Sequence, residues 1–224
     1  MLLHGDGMLT SNTFTNNLAG HRGGGAFLFG GGNLLLRDNL FQENTAASAG
    51  GGLAIENVAL TGTNDIVVDN TSPFEGVAVL SVYGDSALSA AHWTLADNGS
   101  YALTTDGGTA TLTNTIVATH SIGGFAGLDI RADHTLFFNS GTPCSSGALC
   151  TNNLSGDPDF VDPGAGDYHI GLASSAIDAG TDAGIMHDID HEPRFGVPDL
   201  GADEYWATGT LKTAYFPLVL RYEP

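Results

Sequence analysis

Apolar and polar residues alternate along this chain in short runs, and the runs come back. SNTFTNN at Ser11–Asn17 returns as DNLFQEN (Asp38–Asn44), NDIVVDN (Asn64–Asn70), HWTLADN (His92–Asn98), NTIVATH (Asn114–His120) and HTLFFNS (His134–Ser140). The fourth position of this phrase is always large and apolar: Phe14, Phe41, Val67, Leu95, Val117 and Phe137. The seventh is Asn17, Asn44, Asn70 and Asn98, then His120 and Ser140. Successive fourth positions are 27, 26, 28, 22 and 20 residues apart. A period of that size signals one supersecondary unit stacked on copies of itself.

Helical repeats would need apolar residues at i, i+3 and i+4 and few glycines. Here 32 of 224 residues are glycine and the apolar positions alternate. Glycine-led strands precede the phrases: GGAFLF (Gly24–Phe29), GGLAIE (Gly51–Glu56), GVAVLS (Gly76–Ser81), SYALTT (Ser100–Thr105) and GLDIRA (Gly127–Ala132). A second strand runs into the phrase, as in NLLLRDNLF. Coils of this kind predict an all-β parallel β-helix with rungs about 4.8 Å apart. Asn and Gly would close the turns, where positive φ is tolerated. Asn17, Asn44, Asn70 and Asn98 would stack as an inward side-chain ladder satisfying the backbone at a corner.

Composition fits a folded chain, and length fits one domain or one plus a small appendage: 42% hydrophobic, 14% charged, mean hydropathy near zero. The net charge of −19 argues against nucleic acid or an anionic membrane surface as a partner. No run of 18 apolar residues spans a membrane. Met1-Leu2-Leu3 is too short for a leader, and the chain starts as if in mid-rung, so it reads as a fragment of a longer protein. An open first coil would allow end-to-end association.

The pairing of FxxN phrases (Phe14–Asn17, Phe41–Asn44) with GGA or GGL (Gly24–Ala26, Gly51–Leu53) resembles the polymorphic outer-membrane-protein repeat of right-handed parallel β-helix surface proteins. DPDFVDPGAGDYHIGLASSAIDAGTDAG (Asp157–Gly184) and DIDHEPRFGVPDLGADE (Asp188–Glu204) are similar to the tail of secreted β-helix proteins termed choice-of-anchor Q. The resemblance covers roughly residues 1–204. It implies a bacterial, right-handed β-helix at the cell surface or outside the cell, in a family without established catalysis for most members.

Residues 1–156 are then the coils, 157–206 an acidic segment and 207–224 a linker with a C-terminal strand. The acidic segment holds ten Asp and two Glu against one Arg. Four prolines forbid a long regular element, and Phe160, Val161, Tyr168, Ile170, Ile177 and Ile185 are spaced as anchors. It is expected to cap the open end of the last coil. Its aspartates suit Asx-turns; Asp157, Asp159, Asp162, Asp188 and Asp190 are the alternative as Ca²⁺ ligands. Cys144 and Cys150, with five residues between them in a Gly/Ser loop, suggest a local disulfide in an oxidising compartment. The ending YFPLVLR (Tyr215–Arg221) is either a sorting signal or a last strand.

Catalysis has thin support. Alternation from inward Leu28, Ile55, Val79, Leu103 and Ile130 leaves Glu56 and Asp129 as the outward carboxylates of the first strand. They would sit about three rungs, or roughly 14 Å, apart. A glycosidase pair needs about 5–9.5 Å. Arg131 beside Asp129 reads as a surface ion pair. His92, His120 and His134 fall at turn positions and read as structural, and no catalytic or phosphate motif is present. The sequence therefore predicts a non-enzymatic, extracellular adhesion or display module touching carbohydrate or a surface protein. No cofactor is expected beyond the calcium alternative. A carbohydrate-active β-helix for acidic polysaccharide is the competing reading.

Overall fold

The computed structural model describes residues 1–72, 80–145 and 147–207, and it is an all-β solenoid. Three faces climb together. Face 1 stacks seven strands: Leu2–His4, Ala26–Phe29, Leu53–Glu56, Leu80–Tyr83, Tyr101–Asp106, Gly123–Ala126 and Thr142–Cys144. Face 2 holds Gly7–Thr10, Asn33–Arg37, Ala59–Thr63, Ala87–Ala91 and Leu149–Thr151. Face 3 holds Thr13–Thr15, Leu40–Gln42, Ile66–Val68, Thr94–Ala96 and Leu154–Ser155. Two long strands, Thr109–Ala118 and Ile130–Phe138, turn the corner and serve faces 2 and 3 together. The ladders within each face are parallel.

The phrase lies on face 3. Its fourth positions pair rung on rung from Phe14 through Phe41, Val67, Leu95 and Val117 to Phe137. All but Phe14 are buried, and the Phe14 and Phe41 rings stack 4.8 Å apart. The first and sixth positions of every phrase adopt left-handed backbone, with φ between 46° and 56°. That conformation turns the chain in and out of the strand. It costs least for Asn and Asp, which hold most of these sites.

The seventh position closes each corner. Asn44 Nδ2 donates to the Phe14 carbonyl, Asn70 Nδ2 to Phe41 and Asn98 Nδ2 to Val67, each at 2.8 Å. The same amides bond one another, from Asn17 to Asn44 at 2.8 Å, to Asn70 at 3.0 Å and to Asn98 at 3.2 Å. His120 and Ser140 keep the rule without the amide: His120 Nε2 meets the Leu95 carbonyl at 3.2 Å and Ser140 Oγ donates to Val117 at 2.9 Å. The chemistry conserved down the column is a buried donor aimed at the carbonyl one rung away.

A second ladder occupies the second position. Asn12 Nδ2 donates to Asn39 Oδ1, and Asn39 Nδ2 to Asp65 Oδ1 at 2.8 Å. It stops at Asp65, because Trp93 fills the next rung beneath Gly62, where any Cβ would strike the indole. The glycine triplets work in two ways. Gly23 and Gly50 supply positive φ, whereas a Cβ on Gly24 or Gly25 would collide with the carbonyl of Gly51 or Gly52.

Two expectations need correction. The first is register. On face 1, Leu80 and Val82 point inward opposite Leu53 and Ile55; Val79 lies outside the described residues. GLDIRA is not a face-1 strand: Gly123–Ala126 is, and Ile130 already pairs with Ala110 on face 2. The late coils have lost their loops, so the strand follows the phrase directly. Asp129 and Arg131 therefore leave face 1, and Arg131 pairs with Thr111 and Leu149.

The second is the acidic segment, which does not cross the end of the last coil. It lies along the flank of face 3. Tyr168, Ile170, Ala176, Leu200 and Ala202 join Ile66, Val68, Ala96, Ile116, Ala118 and Leu136 in a second core. Phe160 and Ile177 pack on it, while Val161 is exposed. From Leu40 onward the outward face-3 side chains at positions three and five are mostly apolar, among them Ile66, Val68, Ala96, Ile116, Ala118 and Leu136, so this flank needed cover. The end of the main core is closed instead by the Cys144–Cys150 disulfide. Cys144 continues the inward column of Leu103 and Phe125, and Cys150 that of Leu112 and Ala132. The bond thus joins face 1 to face 2 across the last coil.

Replacing Asn70 by Ala strands the Phe41 carbonyl and the amide of Asn44, both inside the protein. A loss of at least about 2–3 kcal/mol in urea unfolding is expected. Asn17→Ala, at the exposed first rung, should lose under about 1 kcal/mol. Equal losses would show that burial does not give the ladder its weight.

Asp65 is wholly buried, and that burial pushes its carboxyl up to about 8 despite the bonds from Asn39. The folded pKa lies above the unfolded one. Its contribution to stability is thus present at low pH and is lost as pH rises from about 4 through about 8. Asp65→Asn supplies an amide in place of the carboxyl. By register with Leu9, the acceptor of Asn39, that amide faces the Leu36 carbonyl. The substitution should raise the melting temperature at pH 7 by at least about 2–4 °C and flatten the pH dependence in that window.

Candidate functional site

Among the surface features of the described residues, two stand out as open to a ligand. The first is the outer surface of face 1. Alternation sends Phe27 outward in one column and His4, Phe29, Glu56 and Tyr83 in the next. Phe27 and Phe29 stack at 5.2 Å between centroids, and the His4 ring meets Phe29 edge-on at 5.1 Å. Arg22 lies 4.0 Å above the Tyr83 ring and pairs with Glu56 at 3.1 Å. None of these side chains belongs to either core. The result is a half-exposed aromatic strip across four rungs, edged by one ion pair.

The second is a cleft of about 540 Å³ where the corner between faces 2 and 3 meets the loop 184–191. Its floor is the register column Thr10, Arg37 and Thr63, with Asp38 and Asn64 of the following turns. Asn64 Nδ2 donates to Asp38 Oδ1 at 3.0 Å and to the His187 carbonyl at 2.8 Å, tying floor to wall.

That wall is held by Arg194. Its guanidinium is 3% exposed and sits 3.1 Å from Glu204. It also donates to the carbonyls of Gly201, Ala202 and Asp203 and to Asn64 Oδ1. Glu204 in turn accepts from the backbone of Phe195 and Asp199. All of these bonds come from the two terminal nitrogens of the fork.

Four of the five carboxylates suggested for calcium, Asp157, Asp159, Asp188 and Asp190, bond to groups of the protein. Asp157 accepts the Asp159 amide and Asp159 the Ala173 amide. Asp188 accepts the amides of Asp190, Glu192 and Glu204. Burial and the neighbouring Asp203 push its carboxyl up to about 6. Asp162 flanks a short 3₁₀ turn at Pro163–Ala165 without capping it. Among the described residues, the one group with metal-like spacing is His169, Asp190 and Asp203, whose ligand atoms lie within 4.8 Å of one another. Only Asp190 of that group came from the sequence reading. His169 Nδ1 meets Asp167 at 2.6 Å and Nε2 meets Asp190 at 2.7 Å. Burial alone would lower its pKa, but Asp167, Asp203 and Asp190 raise it to about 9. His169 thus bridges Asp167 and Asp190 as an ion-pair clamp.

The three histidines of the phrases are structural in position. His92 and His134 occupy left-handed turn sites and His120 the closing ladder. Burial lowers His92 to about 3 and His120 to about 4, keeping both neutral. Among the described residues, no helix is long and apolar enough to cross a membrane. The linker from Thr208 and the YFPLVLR ending lie outside the described residues. No protein-family model and no curated protein matches the chain.

Arg194→Ala should detach the flank segment, since it leaves Glu204 buried and unpaired. The expected loss is about 3–5 kcal/mol, seen as early protease cleavage between 184 and 204 with the coils still protected. Uniform cleavage of the whole chain would show that flank and coil unfold as one unit.

Proposed function

We propose that this chain is a non-catalytic carbohydrate-contacting module of an extracellular or cell-surface β-helix protein, serving adhesion or display. The observation that carries the reading is the aromatic strip of face 1. Phe27, Phe29, His4 and Tyr83 are large rings held outside both cores on a rigid sheet. Rings in that setting offer their faces to the C–H faces of sugars, while Arg22 and Glu56 offer a donor and an acceptor to hydroxyls. The resemblance of the FxxN and GGA phrases to surface repeats, and of 157–204 to the choice-of-anchor Q tail, supports the same location. So does the disulfide. Polysaccharide or a glycosylated surface protein is the partner class.

A second reading, a carbohydrate-active β-helix, is favoured by one observation. Asp106 stands one residue beyond the register pair Val82–Thr105. That places it two rungs from Glu56, across Tyr83. Two rungs are about 9.6 Å at the strand spacing, near the upper limit of a pair acting through water. Glu56 is engaged by Arg22, which favours the binding role.

Affinity electrophoresis against a panel of soluble polysaccharides tests both. At least one should retard the wild type, and Phe27→Ala/Phe29→Ala should weaken that retardation tenfold or more, about 1.4 kcal/mol. Retardation untouched by the double variant would reject the strip. Reducing ends released by the wild type and abolished by Glu56→Gln or Asp106→Asn would establish the second reading instead.

A further inference from the structure

The cleft at the corner of faces 2 and 3 sets one arginine, Arg37, among polar and apolar side chains with two carboxylates, Asp38 and Asp188, the second buried and accepting backbone amides. Arg22 and Arg194 are engaged by Glu56 and Glu204. Arg37 is exposed, lines the cleft and makes no ion pair among the described residues. Thr10 and Thr63 stand one rung to either side of it in strict register, about 4.8 Å away. The order along the floor is hydroxyl, guanidinium, hydroxyl. Beside it lies Asp38, whose side chain is 4% exposed. Asn64 fills one of its oxygens, and His191 Nδ1 stands 3.8 Å from the other. Ile185 and Met186 provide an apolar wall opposite.

These groups set the ligand's chemistry. A free guanidinium takes a carboxylate in two parallel bonds. The Asp38 carboxylate repels a second negative charge but accepts from a hydroxyl. The threonines give and take hydroxyl bonds, and the apolar wall suits the C–H face of a ring. A phosphate or a polyanion is disfavoured by Asp38 and by the net charge of −19. The volume is that of a small-molecule site. We infer that the cleft is a binding subsite for a carboxylated sugar, a hexuronate residue, with Arg37 on its carboxylate and Asp38, Thr10 and Thr63 on its hydroxyls. The site shares no residue with the aromatic strip, so it stands or falls separately from the proposed function.

The test is calorimetric titration of the whole chain with D-glucuronate and D-galacturonate, and with glucose, galactose, glycine and inorganic phosphate for comparison. At least one uronate should bind, and its neutral hexose should bind at least tenfold more weakly. Arg37→Gln should remove that preference, and Arg37→Lys should restore only part of it because a point charge lacks the fork. Arg131→Gln, at an exposed cation outside the cleft, should leave uronate binding unchanged. No uronate binding to the wild type, equal binding of the neutral sugar, or affinity unaltered in Arg37→Gln would overturn the assignment. Tighter binding of phosphate than of either uronate would replace it with a simple anion site, and tighter binding of glycine with a zwitterion site.

Discussion

A buried side-chain donor aimed at the carbonyl one rung away is the contact on which this solenoid depends. Each coil must turn inside the protein, and a turn strands backbone groups that water cannot reach. Asn44, Asn70 and Asn98 meet that demand with one amide each, which serves a carbonyl on one side and a neighbouring amide on the other. Because the donor is fixed one rung from its acceptor, it also fixes register, and register fixes which side chains enter the core. The apolar column from Phe14 to Phe137 follows from the polar one beside it. Where the amide is absent, at His120 and Ser140, the bond to the carbonyl survives and only the link between amides is lost.

The three faces then diverge by what their outward positions hold. Face 3 is largely apolar outside as well as inside, and the 157–204 segment covers it through a second core. Face 1 keeps its outward rings uncovered by either core. The corner between faces 2 and 3 is left with a polar floor, roofed by the same segment. One covering element therefore does two jobs: it dries a flank that would otherwise be an exposed apolar patch, and its loop 184–191 makes a concave site out of a convex edge. Arg194 links the two roles, since it ties the segment to Asn64 in the cleft.

The solenoid and its principal column were legible in the sequence because a period of this size with alternation inside it has few structural solutions. The ladder was legible for the same reason. Register on face 1 was not. Its strands after the third coil carry no fixed phrase, and glycine leads were followed where coil length had changed, as at Gly127–Ala132. The destination of the acidic segment was also misread, although a signal existed. Ile66-Val67-Val68 and Leu136-Phe137-Phe138 break the alternation, and a strand apolar at consecutive positions is one buried on both sides. The cleft had no sequence signature, since Arg37 and Met186 are joined only by the fold.

The distribution of charge bears on how such a surface can recognise anything. Most of the acids described in the 157–204 segment are spent on backbone amides or on His169 and Arg194. They are structural anions that replace regular secondary structure in a segment where proline forbids it. The surface features left for contact carry few charges: one ion pair on the strip, and Arg37 with Asp38 and the buried Asp188 in the cleft. Long-range attraction of an anionic partner is then weak, and the −19 field opposes it. A lone cation can still select a carboxylate if hydroxyl partners and an apolar wall share the binding, because their energies are short-ranged and insensitive to the overall field. Stacking on the rings of face 1 follows the same logic. A strongly acidic β-helix can thus contact polysaccharide, including acidic polysaccharide, provided that shape and local bonds rather than net charge supply the affinity.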